Sequence, residues 1–273
     1  MAAYTTLKKD DEAKKTAVKH TASASPRGSV TAITSASPSP SSAGVTVAAG
    51  GDLIADQGIN TFIESDGAEA VLAGVAPVLE AADVAFISLE SPLSDIGKPK
   101  KGKEITFEGD PRMVDGLVSA GVDVVTMANN HAMDYGDLAL LGTIRRLGIA
   151  DVGITGAGKD VDAAYTPSTL TTESGATVAF LGFSDIIPQD FLADSGPGIA
   201  GARIDIPRMI TSIKTAARNA DFVVVSFHWG VEYDQTANAD QVADAYAAVD
   251  AGADPCWHRT RTSSRVLRRT TAP

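Results

Sequence analysis

The chain has 273 residues, of which 44% are hydrophobic and 21% charged, which is typical of a soluble globular protein with a substantial core. Residues 45–255 carry 12 basic and 31 acidic side chains, so this part has a net charge near −19, while both ends of the chain are basic. Such an acidic surface excludes nucleic acid as a partner and attracts cations, and the single Cys256 excludes an internal disulfide.

The N-terminal residues 1–44 are rich in Ala, Ser, Thr, Lys and Pro and end in the low-complexity run 35–42. They hold too few large apolar side chains to offset the entropy lost on ordering, so we predict a disordered spacer. In secreted proteins, spacers of this kind separate a membrane anchor from a folded domain. The chain as written shows no signal or anchor, and a start codon assigned too late would account for that.

From residue 45 onward, strand and helix patterns alternate. Short apolar runs predict strands, and each predicted helix has start and stop signals, such as Asp110-Pro111 before one helix and Gly121 after it. Strands separated by helices indicate an α/β fold with a largely parallel sheet and right-handed crossovers. The predicted strands are 45–49, 84–87, 122–127, 177–183 and 222–227, and the helices are 111–120, 137–147, 207–219 and 240–251.

Polar side chains follow four of these strands at the point where each strand ends. Asp52 and Glu90 follow the first two, Asn130 and His131 the third, and His228 the last. Because the carboxyl ends of parallel strands meet at one edge of a sheet, we expect these groups to lie together. Carboxylates, a carboxamide oxygen and an imidazole form a mixed oxygen and nitrogen donor set for a divalent metal ion. We predict Asp52, Glu90, Asn130 and His228 as the ligands.

Each of these residues also has a purely structural interpretation. Asp52 follows two glycines and would close a turn after its strand, and Glu90 would cap the segment that follows. A lone histidine beside an apolar run is more often a core residue than a ligand. Two of the four histidines, however, occupy equivalent strand ends, which favours the metal site.

The same strand ends resemble a known family, the capsule-synthesis proteins of the CapA type. These are associated with poly-γ-glutamate capsules and are similar in fold to calcineurin-like metallophosphatases. The resemblance covers about residues 45–254. Its motifs, in the family's order, are Gly51-Asp52-Leu53-Ile54, Leu89-Glu90-Ser91-Pro92-Leu93, Ala128-Asn129-Asn130-His131-Ala132-Met133-Asp134 and His228-Trp229-Gly230-Val231-Glu232-Tyr233.

The resemblance implies a fold, a location and a chemistry. The expected fold is a layered α/β/β/α sandwich, and the expected location is extracellular or membrane-associated. The divalent metal would be Mn, Fe or Zn. The chain, if active, would be a metal-dependent phosphoesterase-like hydrolase acting on an anionic polymer or a phosphorylated substrate, within a membrane synthase complex.

Further residues receive roles from the same resemblance. His131 suits a general acid or a contact to a substrate oxygen, with Asp134 orienting it, because Asn130 resembles the metal-binding member of the phosphatase Asn-His pair. The neighbouring side chains would support the ligands or face the substrate, and the alternative for the last two is a helix start under the sheet. These are Asn129, Trp229, Glu232 and Tyr233. Ser88 departs from the family, which commonly has Asn before Leu-Glu.

A further strand is expected after residue 254, but residues 255–265 show neither apolar periodicity nor any acid. The family would have a Gly-His-His-Pro-His-like strand end here. Back-translation of this stretch with suitable codons, read in a shifted frame, gives Val-Leu-Ala-Ser-His-Pro-His-Val-Leu-Gln. We therefore interpret residues 255–273 as an aberrant, frameshifted tail of a C-terminally truncated domain.

Two other functions stay open. The chain could be a non-catalytic accessory partner of a membrane polymer synthase or exporter, or a truncated product without function. The basic run 98–103 would receive an anionic polymer or phosphate, or would form a solvated hairpin tip, and the sequence favours the tip.

Overall fold

The structure, a computed structural model, describes residues 3–7, 44–188, 190–231, 234, 236–260 and 263–268. The strands are β1 Ala3–Leu7, β2 Val45–Leu53, β3 Val84–Leu89, β4 Val124–Thr126, β5 Gly153–Thr155, β6 Ala157–Gly158, β7 Ser168–Thr171, β8 Thr177–Ser184, β9 Gly198–Ile199, β10 Phe222–His228, β11 Pro255–Thr260 and β12 Ser263–Arg268. The helices are α1 Gly58–Asp66, α2 Glu69–Leu72, α3 Ala76–Glu80, α4 Met113–Ser119, α5 Asp137–Ile149, α6 Val161–Ala164, α7 Ile206–Asn219 and α8 Ala239–Ala251, with a short 3-10 helix at Arg203–Asp205 before α7.

These strands form two five-stranded sheets and one small ribbon. The first sheet has the order β1-β2-β3-β4-β5, in which β2 to β5 are parallel and β1 is antiparallel. The second has the order β12-β11-β10-β8-β7, with a parallel centre of β11, β10 and β8. Because the central strands of both sheets are parallel, their carboxyl ends define the edge at which loops can build a site.

The two sheets pack face to face, and helices cover their outer faces. Phe86 of the first sheet stacks on Phe180 of the second, with ring centroids 5.4 Å apart, in a buried layer that both sheets share. A second apolar cluster lies between the first sheet and helices α1 to α5. A third lies between the second sheet and helices α6 to α8. The architecture is therefore the expected α/β/β/α sandwich.

The alternation of side chains along the strands explains this layering. In β10, Phe222 and Val224 belong to the layer between the sheets, whereas Val223 and Val225 pack against the helices. Both faces of the strand are buried, so its sequence is a continuous apolar run rather than an alternating one. The apolar runs at 84–87, 177–183 and 222–227 do lie within β3, β8 and β10, as predicted.

Three elements differ from the sequence prediction. Residues 3–7, placed in the disordered spacer, form β1 against β2, and the rest of the spacer up to residue 43 lies outside the described residues. The helix predicted to start at Pro111 starts at Met113. The Asp110 carboxylate accepts a hydrogen bond from the Arg112 amide, and this bond forms a turn at residues 110–112 before the helix begins. The strand judged absent after residue 254 is present as β11.

Strand β11 is paired in parallel with β10. Backbone pairing to the exposed edge of β10 needs no apolar periodicity, which is why composition alone did not reveal it. The frameshift interpretation of residues 255–273 stays a prediction, to be checked by sequencing the gene across codon 255.

Candidate metal centre

The ends of β2 and β3 bring the first two predicted ligands together. β2 runs through Gly50 and Gly51, and its pairing with β3 shifts register between Ala49 and Asp52. The Glu90 amide then donates to the Leu53 carbonyl at 2.9 Å, which extends the contact beyond the strand. As a result both carboxylates lie at the carboxyl edge, and their side chains are only 4% and 2% exposed.

His228 reaches the same place from the other sheet. Its Nε2 atom lies 3.6 Å from Glu90 Oε1, and its Nδ1 atom lies 4.0 Å from Asp52 Oδ1. One ligand atom from each of the three residues lies within 4.8 Å of the others, a spacing that a single metal ion can bridge. Two buried carboxylates so close together repel each other, and a bound cation would relieve that cost. The donor set therefore fits a divalent ion.

Asn130 completes the set that the sequence predicted. Its side-chain oxygen lies 2.9 Å from His228 Nε2. When Nε2 carries the proton, it donates to Asn130; when Nδ1 carries it, Nε2, which also lies near Glu90, is the nitrogen that can bind a metal ion together with Asn130. The structure thus brings together Asp52, Glu90, Asn130 and His228, which lie up to 176 residues apart in the sequence.

His131 lies next to this cluster in a buried polar network. Its Nδ1 atom is 2.6 Å from Asp134 Oδ2, and its ring packs against Phe107 with centroids 4.2 Å apart. The Phe107 amide also donates to Asp134 Oδ2, at 2.8 Å. The Asp134 side chain is fully buried, so its carboxylate holds the imidazole in a fixed orientation. The contact between the two side chains is present, and their catalytic role stays a prediction.

Lys103 is a site residue that sequence reasoning missed. Its ammonium pairs with the Asp134 carboxylate, donates to the Asn130 carbonyl at 2.5 Å and lies 3.0 Å from His131 Nδ1. The run 98–103 is therefore not the tip of a hairpin, since no strands flank it within residues 90–112, but part of an irregular loop whose Lys103 contacts the site while Lys98 and Lys101 stay exposed. The loop has no periodic pattern from which its structure could be predicted. Its one unusual sequence feature is the cluster of lysines within an acidic domain.

Asn129 is buried and connects two backbone segments through hydrogen bonds. Its amide donates to the Leu89 carbonyl at 2.8 Å, and its side-chain oxygen accepts from the His131 amide at 3.0 Å. It is fully buried and so ties the His131 loop to the end of β3. Asn129→Ala is expected to lower the free energy of unfolding by about 2 kcal/mol, because two buried backbone groups lose their partner. Urea denaturation would measure this, and an unchanged midpoint would contradict it.

In the last motif, the residues after His228 do not all lie at the site. Trp229 is 2% exposed and stacks on Phe227 at 4.0 Å, within the core between the second sheet and its helices. Its contacts are those of a packing residue. Glu232 and Tyr233 lie outside the described residues. Ser88, opposite Asp52 in the strand register, is buried at the same edge.

A cluster of charged side chains, formed by Asp185, Arg203 and Asp244, lies next to the end of β10. The Asp185 amide donates to the His228 carbonyl at 3.0 Å, and its carboxylate accepts from the Arg203 amide at 2.9 Å. Burial raises the pKa of the Asp185 carboxyl, and burial likewise raises the pKa of Asp244, which pairs with Arg203 at 3.0 Å. This group fixes the loop after β8 to the end of β10 and so supports the position of His228.

Comparison with known proteins places the chain among capsule proteins. The profile of the family described as "Bacterial capsule synthesis protein PGA_cap" matches residues 46–257. The PGA biosynthesis protein CapA of Bacillus subtilis is 34% identical over 206 residues, covering 75% of this chain and 54% of that protein. The capsule biosynthesis protein CapA of Bacillus anthracis is 33% identical over 213 residues, covering 75% and 51%.

A more distant relative carries a different description. A probable polyglutamine synthesis accessory protein of Mycobacterium tuberculosis is 28% identical over 183 residues, covering 64% of this chain and 48% of that protein. The chain therefore spans about half the length of the curated relatives it matches.

Proposed function

Because the chain belongs to the bacterial capsule synthesis family PGA_cap, we propose that it acts in the biosynthesis of a poly-γ-glutamate-like capsule through a divalent-metal site. The ligands of that site would be Asp52, Glu90, Asn130 and His228. The observation that carries the proposal is the convergence of two buried carboxylates and an imidazole from two different sheets, with ligand atoms within 4.8 Å of one another. The metal would be Mn, Fe or Zn, since all three accept mixed oxygen and nitrogen donors.

The chemistry proposed for this site is hydrolysis of a phosphoester-like bond. A divalent ion held there would lower the pKa of a water molecule and stabilise negative charge on the substrate's oxygens. His131 would hold or release a proton at Nε2, because Nδ1 is bound to Asp134. Lys103 and the Phe107 amide would hold the Asp134 carboxylate in place, and so keep the imidazole in its orientation.

The proposed partners follow from the chemistry of the polymer. The substrate would be an anionic polymer or a phosphorylated molecule, and the chain would work beside a membrane synthase, outside the cell or at its membrane. No helix in the described part of the chain is both long and apolar enough to cross a bilayer.

A second candidate is a non-catalytic accessory role. The description of the Mycobacterium tuberculosis relative as an accessory protein favours it. In that case the folded domain would assist a synthase or exporter, and the buried network would serve stability rather than turnover.

Metal analysis and a phosphoesterase assay on the full chain would test the proposal. We expect co-purified divalent metal and hydrolysis of p-nitrophenyl phosphate or its diester. Asp52→Ala should reduce the rate by about a thousandfold or more, as loss of an essential group at a catalytic centre does. The control Asp115→Ala removes an exposed carboxylate on α4 and should leave the rate unchanged.

The accessory role predicts a different outcome. The protein would fold without metal, and polymer output in cells would be the same with Asp52→Ala as with the unchanged chain. A chain that gives no soluble folded protein would support the third alternative, a truncated product without function.

A further inference from the structure

The loop at residues 98–103 carries four lysines, one of which, Lys103, contacts the Asn130 carbonyl and the Asp134 carboxylate beside the candidate metal centre. We propose that this basic segment binds the carboxylates of an anionic polymer, with Lys98 and Lys101 making the contacts. The inference rests on the proposed function, because the polymer is taken to be a polyglutamate. It adds the site that would receive the polymer beside the metal ligands.

Two lysines of the segment hold it in place. Lys103 is 18% exposed and binds the Asn130 carbonyl and the Asp134 carboxylate. Lys100 donates its amide to the Asp134 carbonyl at 2.8 Å and pairs its ammonium with Asp190. Both ammonium groups lie 5.4 Å from the centroid of the Phe191 ring. The segment is thus fixed on the same loop that supplies a predicted ligand.

The N-terminal end of the segment is also in close contact with that loop. Gly97 has φ of 111°, in the left-handed region that glycine adopts without strain. A Cβ atom at this position would overlap the carbonyl of Tyr135, so the chain lies directly on the residue after Asp134. The basic segment therefore has a defined position relative to the metal edge at both of its ends.

The other two lysines face outward. Lys98 and Lys101 are exposed, and within the described residues their ammonium groups make no ion pair or hydrogen bond. Lys101 is two residues from Lys103, and two residues of extended chain span at most about 7 Å. The backbone at the exposed Lys101 therefore lies close to Lys103, which contacts the Asn130 carbonyl and the Asp134 carboxylate.

The charge distribution makes this the place where a polyanion can approach. Between residues 45 and 255 the chain has six lysines, and four of them lie in this segment. The others are Lys159, which pairs with Asp160, and Lys214 on α7. The surrounding domain, with a net charge near −19, repels a polycarboxylate, and the four neighbouring lysines are the densest group of basic side chains in its sequence. The separate point charges of Lys98 and Lys101 suit carboxylates that are spaced along a polymer.

Binding of labelled polymer to the full chain would test the proposal. Fluorescein-labelled poly-γ-glutamate would be titrated at low salt and with EDTA present, and anisotropy would report binding. We expect saturable binding that Lys98→Glu/Lys101→Glu weakens about tenfold or more and that added salt also weakens. The matched control, Lys159→Glu/Lys214→Glu, makes the same change in net charge elsewhere and should alter affinity by less than about twofold.

Failure of this inference and failure of the metal proposal would look different. No binding by the unchanged chain, or equal weakening by the two double variants, would overturn the polymer site even if metal-dependent hydrolysis is found. Conversely, lysine-dependent binding that persists in Asp52→Ala would support the polymer site even if no hydrolysis is detected. Both lysines are exposed, so neither substitution removes a contact that the fold requires.

Discussion

Replacing His228 with alanine is expected to weaken divalent-metal binding by about a hundredfold or more, because even groups that only support a ligand contribute tenfold to a hundredfold. His228 is the one predicted ligand supplied by the second sheet, and its two ring nitrogens lie beside Asp52 and Glu90. Without it, the remaining oxygen donors would bind Zn²⁺ or Mn²⁺ only weakly. Titration calorimetry of the EDTA-stripped full chain would measure the loss.

Metal should also stabilise the unchanged protein. At a free metal concentration of about 100 times the dissociation constant, linkage adds about 2.7 kcal/mol to the free energy of unfolding. His228→Ala should lose that gain, whereas His131→Ala, which removes a neighbouring imidazole but no predicted ligand, should keep it. Equal metal affinity in His228→Ala and the unchanged chain would show that these side chains converge for a structural reason alone.

The central strands and the edge they define could be predicted because burial leaves a direct trace in sequence. β3 and β10 are buried on both faces, so they read as unbroken apolar runs, and the polar residues that end them stand out. Glu90 and His228 were found in this way. The division of the strands between two sheets could not be predicted from the sequence, because both sheets have parallel central strands with similar apolar runs.

Trp229 shows how the same information could have been used further. Side chains alternate along β10, and Val225 and Phe227 pack against the helices. Trp229 has the same parity and belongs to that core, while His228 has the opposite parity and lies at the edge between the sheets. The family resemblance predicts that Trp229 supports the ligands or faces the substrate, whereas period-two alternation along the strand predicts the packing that is observed.

Lys103 could not be placed from sequence, because its role depends on contacts made across a loop without regular structure. Residues 90–112 contain no helix or strand of their own, so no periodicity relates Lys103 to His131, 28 residues later. The cluster of lysines was visible, but whether they face solvent or a buried carboxylate depends on how the loop folds back. Asp134 decides this, since a fully buried carboxylate needs several donors.

Asp134→Asn is expected to lower the free energy of unfolding by about 3 kcal/mol, because it leaves the mostly buried Lys103 ammonium without its counter-charge. Lys103→Met should cost less, since Asp134 keeps the Phe107 amide and the His131 imidazole as donors. The double variant should be more stable than the sum of the single losses predicts, with a coupling of about 2 kcal/mol. Urea denaturation of all four proteins would give this value.

The same cycle on an exposed ion pair provides the control and shows what the coupling means. Arg208 and Asp162 lie 3.4 Å apart, with the Asp162 side chain 90% exposed, and Arg208→Met/Asp162→Asn should show coupling close to zero because solvent screens the pair. Near-zero coupling for Lys103 and Asp134 as well would mean that Lys103 does not hold the carboxylate, and the Phe107 amide would then be the donor that fixes Asp134 against His131. A large coupling would instead make the loop at 98–103 part of the structure that positions the candidate site.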